Sequence, residues 1–300
     1  MDSLFLFTVT PYPARLMTDT EKTIRPPERI AVFSCIHGNM EALETAYSDA
    51  RAQDVDRIVC LGDLVGYGPY PNEVVRFIAK KDIHTVVGCW DEAIVMDHED
   101  CGCKFVSEED EAFGALAFRF TKDRIRKKQV DFMKEMYFSI RMEDTPAGEL
   151  LFVHGSPREN TEYLMETTHD LILLERAAGA NCDVLLCGHT HVPFVRRIGG
   201  SLTVKPGNPG DDQPDGRIVP LAQKLIVNAG SIGEPRHGSP ESTYVIFDTA
   251  TRRTEIRKVE YDVQKTVQAM RKLGLPEVFA QRLLTGQELV GKHKEIVCAC

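Results

Sequence analysis

The chain has one tryptophan, no excess of positive charge and no apolar run close to bilayer length. Each of these gaps narrows what it can be. Its net charge is −9 over 300 residues, which disfavours a protein that grips duplex nucleic acid through the phosphates. An acidic protein that handles phosphates must build a local positive site from metal ions or arginines. Without a long apolar run, no membrane span and no membrane partner are expected. Residues 4–9 are apolar, but no basic stretch precedes them and Pro11 and Pro13 follow. They read as a tail or an added edge strand rather than a signal peptide, and the cytoplasm is the expected compartment. Nine cysteines, an odd and scattered set, do not make a small secreted disulfide scaffold.

What the chain does contain is a βαβαβ rhythm. Apolar strands are predicted at 30–34, 57–61 and 84–87. A helix capped by Asn39 follows the first, and one capped by Asn72 and running to Lys81 follows the second. Alternation of this kind argues for a parallel sheet with crossover helices. Residues 92–107 read as loop, 108–121 and 126–137 as helices, 139–142 and 149–153 as strands, and 169–179 as a helix. A strand at 183–186 opens a mostly β region with strands at 192–198, 201–205, 225–228, 243–248 and 253–260, interrupted by a Pro/Gly/Asp-rich surface loop at 206–216. Residues 262–285 return to helix. The division expected is an irregular extension over 1–28, a catalytic domain over 29–261, and a helical extension and tail over 262–300.

Five short blocks follow predicted strands: Ser-Cys-Ile-His-Gly-Asn at 34–39, Leu-Gly-Asp-Leu-Val-Gly at 61–66, Val-Gly-Cys-Trp-Asp at 87–91, Val-His-Gly at 153–155 and Cys-Gly-His-Thr-His at 187–191. Loops at the ends of adjacent parallel strands converge, so side chains from all five can meet. Imidazole and oxygen ligands suit a divalent transition metal. Two such ions about 4 Å apart clamp a phosphoryl group for in-line attack. They need a bridging carboxylate, and Asp63 has the setting for it.

These blocks, in this order, resemble the calcineurin-like metallophosphoesterases across about residues 29–260. The wider phrases Ile-His-Gly-Asn-Met-Glu-Ala-Leu, Gly-Asp-Leu-Val-Gly-Tyr-Gly-Pro-Tyr-Pro-Asn-Glu, His-Gly-Ser-Pro-Arg and Asn-Ala-Gly-Ser-Ile-Gly-Glu-Pro-Arg are similar to its bacterial branch of small phosphodiesterases and diadenosine-tetraphosphatase-like proteins. The resemblance implies an α/β fold, a four-layer αββα sandwich with two facing mixed sheets. It also implies two divalent metals (zinc, iron or manganese) and a small phosphate-containing substrate. Carried over by position, the first metal would see Cys35, His37, Asp63 and His191, and the second Asp63, Cys89, His154 and His189. Asp63, Trp90 and Asp91 are the candidates for catalysis, and Asn39, Arg158, Arg236 and His237 for substrate binding. The two arginines are favoured because a guanidinium matches phosphate oxygens in a bidentate way.

The family has Asp, Asn and His where this chain has Cys35, Cys89 and Trp90. A thiolate at 35 keeps the charge but is softer and reaches less far, which favours zinc or iron. A thiolate at 89 would weaken the Lewis acidity of the pair. An indole donates a hydrogen bond but transfers no proton at neutral pH. If the chain is a hydrolase, it should therefore prefer leaving groups that need no acid, such as phosphoanhydrides or activated diesters. The alternatives are a catalytically weak metal- or nucleotide-binding relative and a changed metal chemistry using thiolates. For Cys35 and Cys89 three states stay open: ligands, a mutual disulfide, or inert thiols. Cys101, Cys103, Cys298 and Cys300 form a candidate four-thiolate zinc site. A homo-oligomer also stays open.

Overall fold

A computed structural model describes residues 28–104, 107–204 and 217–287. Its strands are β1 (Arg29–Phe33), β2 (Arg57–Cys60), β3 (His84–Thr85), β4 (Ser139–Thr145), β5 (Gly148–Val153), β6 (Val184–Cys187), β7 (Phe194–Val204), β8 (Arg217–Asn228), β9 (Ser242–Asp248) and β10 (Arg253–Val259). Its helices are α1 (Met40–Ala52), α2 (Pro71–Lys80), α3 (Cys89–Val95), α4 (Glu108–Arg124), α5 (Lys127–Met133), α6 (Asp170–Gly179), α7 (Val263–Lys272) and α8 (Glu277–Thr285). The strands form two five-stranded sheets, ordered β10-β9-β1-β2-β3 and β4-β5-β6-β8-β7. The pairs β1–β2, β2–β3, β5–β6 and β6–β8 are parallel, and antiparallel strands complete the edges.

The two-residue side-chain period explains why the short strands are apolar throughout. Ile30, Val32, Val59 and Leu61 point between the sheets and meet Leu150, Phe152, Val184, Leu186 and Val227. Their neighbours Ala31, Phe33 and Cys60 point the other way, into a core shared with Leu43 of α1, Val74 of α2, Met270 of α7 and Phe279 of α8. On the far side Leu151, Val153 and Leu185 pack on Leu173 and Ala177 of α6. Helix, sheet, sheet and helix are thus stacked, the α/β sandwich expected.

Several local expectations are corrected. Asn72 does not cap α2: Tyr70 is the cap residue, with no side-chain bond, and Pro71 opens the helix. Asn72 is drawn away by a tertiary contact, donating to Arg124 O at 2.8 Å and accepting from Arg126 N at 2.8 Å. The loop predicted from 92 in fact contains most of α3, whose first turn is closed by the Asp91 carboxylate accepting from Gly88 N at 3.1 Å. The helix predicted to 137 stops at Met133. The third strand shrinks to His84–Thr85, with Val86 making an isolated bridge to Tyr137. The C-terminal helix is two, broken at Gly274 (φ 75°) and Pro276, a pair of breakers visible in the sequence. β8 begins well before residue 225, because β7 and β8 form a long hairpin. The extension over 1–27, the 206–216 insertion, Cys298 and Cys300 lie outside the described residues.

Candidate metal centre

Cys35, His37, Asp63, His189 and His191 all have left-handed backbone, with φ between 47° and 66°. For residues with a Cβ this conformation is rare and costs on the order of 1 kcal/mol each, so the surroundings must impose it. They do so by lacing the loops after β1 and β2 together. Cys35 N donates to Gly62 O (3.0 Å), Ile36 N and His37 N to Asp63 O (2.8 and 2.9 Å), and Gly38 N to Leu64 O (2.9 Å). Gly88 is needed for a different reason: a Cβ there would stand 2.2 Å from both Asp63 N and Asp63 Oδ1.

The lacing brings seven side chains to one place. Cys35, His37, Asp63 and His191 present ligand atoms within 4.8 Å of one another, as do Asp63, Cys89, His154 and His189. Asp63 belongs to both groups. Its Oδ1 accepts from Trp90 N at 2.9 Å, and its Oδ2 lies 3.5 Å from His37 Nε2 and 3.3 Å from His154 Nε2. Every one of the seven is at most 4% exposed.

The imidazoles show what the cluster is suited to hold. His37 Nδ1 donates to Val65 O (2.9 Å), His191 Nδ1 to Glu234 O (2.7 Å) and His154 Nδ1 to Leu61 O (2.7 Å). A carbonyl oxygen only accepts, so each Nδ1 carries the proton, and in the neutral rings of His37 and His191 the Nε2 lone pair turns inward. His37 Nε2 and His191 Nε2 face each other at 3.0 Å. Burial pushes His37 down to about 4 and lowers His191 as well, so both rings are neutral at pH 7. Two lone pairs at that distance repel unless a cation lies against both. Hydrogen-bonded outer nitrogens and converging inner ones are the arrangement of metal-ligating histidines, and the residues fit a divalent metal.

The same surroundings favour metal-bound sulfur only with help. Burial pushes the Cys35 thiol up to about 12 and the Cys89 thiol well above its ordinary value. The protein alone therefore keeps both as neutral thiols, and a bound cation would have to draw off their protons. Cys35 Sγ accepts from His189 N at 3.3 Å, and Cys89 Sγ lies 3.6 Å from Asp63 Oδ2 and from His189 Nδ1. Burial opposes ionisation of Asp63, but His154 and His37 outweigh it and hold the carboxylate well below the usual range.

The other predicted residues separate. Trp90 is 1% exposed and packs its ring on Tyr67 (4.5 Å) and Phe118 (5.8 Å), so it fills core behind the cluster rather than facing solvent. Asp91, expected among the catalytic residues, accepts from Leu64 N (2.9 Å), Val65 N (3.2 Å) and Gly88 N (3.1 Å). It buttresses the Asp63 loop, and burial with Asp63 nearby raises it to about 7. Asn39, expected at the substrate, is committed elsewhere. Its Oδ1 caps Ala42 N and accepts from Thr266 Oγ1, while its Nδ2 donates to Gly233 O and Tyr261 Oη. Arg158 is exposed. Arg236 is mostly buried, bonds Glu234 at 2.8 Å and stands 5.9 Å from the Tyr67 ring. His237 is lowered by burial and by Lys258 of β10. The seven described cysteines are all free, Cys35 and Cys89 among them. Cys89 Sγ instead touches Cys103 Sγ at 3.4 Å.

Sequence reasoning missed four neighbours of this cluster. Tyr163 lies over His189 with ring centres 4.1 Å apart, and Tyr67 sits 4.9 Å from His37. Glu234 places a carboxylate 3.0 Å from His191 Nδ1, and Cys103 adds the sulfur just described. The Gly-Glu-Pro-Arg phrase held a signal for Glu234, and the Cys-Gly-Cys pair drew attention to Cys103 but as part of a different site, whereas Tyr163 stands in a stretch with none.

The match to known proteins follows the same blocks. The family model of the calcineurin-like phosphoesterase superfamily domain matches residues 29–222. An uncharacterized protein of Methanocaldococcus jannaschii is 32% identical over 260 residues, covering 86% of this chain and 98% of that one. A metallophosphoesterase crystal structure from Sphaerobacter thermophilus is 29% identical, covers 87% of this chain and all (100%) of that one, and superposes with a TM-score of 0.63. A hypothetical protein of Pyrococcus horikoshii shares the fold at 18% identity, with a TM-score of 0.67 over 87% of this chain and 99% of that one. With the sandwich, the strand-end loops and the two ligand groups in place, the chain belongs to the calcineurin-like phosphoesterase superfamily.

Proposed function

We propose that this member of a metal-dependent phosphoesterase family works as a dinuclear hydrolase on a phosphoester or phosphoanhydride, with a nucleotide-type compound as the candidate substrate. The observation that carries the reading is Asp63, whose carboxylate is shared by two four-residue ligand groups. Cys35, His37, Asp63 and His191 would hold one ion and Asp63, Cys89, His154 and His189 the other, with zinc, iron or manganese suited to the mixed sulfur and imidazole donors. Bound there, such ions supply Lewis acidity and an activated water. Arg236 offers the nearby positive charge for phosphate oxygens. Neither Trp90 nor any other residue of the described cluster is placed to protonate a leaving group, since His154 and the other imidazoles are committed to the ligand groups. Substrates with good leaving groups are therefore preferred.

A second reading has its own observation. With every candidate ligand at most 4% exposed, substrate reaches the centre only if a wall moves. A tight metal-binding relative with little turnover would need no such movement. Elemental analysis of protein purified anaerobically, followed by assays with a phosphoanhydride, an aryl phosphodiester and an alkyl phosphomonoester, separates the two. Two metal equivalents with faster anhydride than monoester turnover support the hydrolase. Near-zero metal after soaking in each ion would sink it. If the wild type binds metal but is inactive and Cys35→Asp with Cys89→Asn hydrolyses diesters, the natural protein is a disabled site. Activity in the wild type alone would mark the thiols as part of an altered chemistry.

A further inference from the structure

We infer that the C-terminal helix α8 is a working part of the metal centre, with Arg282 as a positioning residue that acts on His191 through Glu234. This inference rests on the metal-centre reading above and deepens it. The observations are three. Arg282 is 2% exposed although it is an arginine on the last described helix. Such a residue is almost never fully buried unless paired. Its guanidinium is paired on both sides, with Asp110 of α4 and with Glu234 Oε1 at 3.5 Å. Glu234 in turn sets its other oxygen, Oε2, 3.0 Å from His191 Nδ1, and Arg236 reaches the same oxygen at 2.8 Å.

Buried charges of alternating sign thus run Asp110, Arg282, Glu234, with Arg236 and His191 at the far end. The run crosses from two helices to the loop that follows β8, and it ends on a candidate ligand. The physical consequence concerns the ring of His191. Its Nδ1 proton is shared between Glu234 O and Glu234 Oε2, which fixes both the tautomer and the rotation of the imidazole. A ligating histidine held by a carboxylate is also a stronger donor. Glu234 can play that part only while its charge and rotamer are held. Burial opposes a carboxylate there, and the two arginines counter it. α8 closes the same corner: Phe279 and Leu283 line a cavity of about 10 Å³ together with His37 and Glu234. That cavity has room for about one water, so the corner beside Glu234 is closed to bulk solvent.

The test is cobalt titration of chelated protein, followed by visible absorption, for the wild type, Arg282→Met and Arg282→Lys, with circular dichroism as the check on folding. Loss of an outer hydrogen-bond partner typically weakens metal binding about 10–100-fold. Arg282→Met should therefore weaken one of two cobalt sites by that factor and leave the other unchanged, and Arg282→Lys should recover part of the loss. A merely structural arginine would lower stability without selecting one site. Should Arg282→Met not fold, Glu234→Gln keeps a neutral acceptor and should show the same one-site weakening. A folded Arg282→Met, or a folded Glu234→Gln, that fills both sites with wild-type affinity overturns the inference. A wild type that takes up no cobalt overturns the metal-centre reading itself, and this inference with it.

Discussion

Removing the metal from this protein should cost stability in an amount that the histidine geometry sets. His37 Nε2 and His191 Nε2 face each other at 3.0 Å, both buried, and both rings carry their proton on the other nitrogen. Each is then a buried acceptor without a donor, at roughly 1–3 kcal/mol apiece. The pair sums to about 4 kcal/mol. His154 adds less, because the nearby Asp63 carboxylate overcomes burial and raises it to about 9, so that it can take up a proton and donate. For a domain of this size about 1 kcal/mol moves Tm by roughly 2–4 °C. Chelation should accordingly lower Tm by about 10 °C. Hydrogen exchange should speed up first in the loops at 34–39 and 187–191, where Cys35, His37, His189 and His191 hold left-handed backbone. The assay is calorimetry before and after chelation, with elemental analysis to prove removal, then re-addition of the ion. An unchanged Tm in protein shown to have lost its metal would refute the argument from opposed lone pairs.

Other outcomes follow from single contacts. Gly88→Ala pushes a Cβ to 2.2 Å from Asp63 N and Oδ1, so the variant should fold poorly or lose metal, read by elemental analysis and thermal melting. Normal metal content at wild-type Tm would contradict it. Asp91→Asn replaces an acceptor of three backbone N–H groups by one with half its acceptor capacity; about 2 kcal/mol should be lost in denaturant unfolding, more than from a surface exchange. Asp49 offers a pH test away from the metal centre. Partial burial opposes its ionisation, but the hydrogen bonds from Arg257 and Tyr244 outweigh it and lower it in the folded state. Its stabilising contribution is then present above the unfolded value of about 4 and is lost as pH falls through the lower folded value. Asp49→Asn should lower stability at pH 7 by about 2 kcal/mol and little at the acid end, so the two proteins' stability curves should converge on acidification. Parallel curves would reject the assignment.

How much of this was legible in the sequence can be judged residue by residue. The strand Ile30–Phe33 was visible as an unbroken apolar run, because a strand buried on both faces needs no alternation. The five blocks with His37, Asp63, His154, His189 and His191 were visible too, since ligand types recur at strand ends where the backbone turns. The C-terminal break was written in Gly274 and Pro276 but passed over in favour of helical periodicity. Asn39 caps α1 as its position before the helix predicts, whereas Asn72 was misread as a cap, and Asn39 was also expected at the substrate. A polar side chain near a helix start has an obvious local use, and only the fold reveals a distant claim on it: Arg124 and Arg126 take Asn72 from its cap, and Tyr261 takes the Asn39 amide nitrogen while its oxygen still caps.

The sequence by itself determined a parallel sheet with crossover helices, the order of its strand-end loops and the chemical types gathered at the centre, while the two-sheet sandwich came from the family resemblance of the five blocks. These follow from local periodicity and from residues whose meaning is carried by immediate neighbours. The tertiary structure alone decided that Arg282 would reach Glu234 from 48 positions away, that Cys89 would meet Cys103 rather than Cys35, and that Asp91 would serve the backbone rather than a substrate. Those contacts depend on how far α4, α8 and the 97–104 segment settle onto the sheets. That depth is set by the packing of whole layers and leaves no pattern in any single stretch of chain.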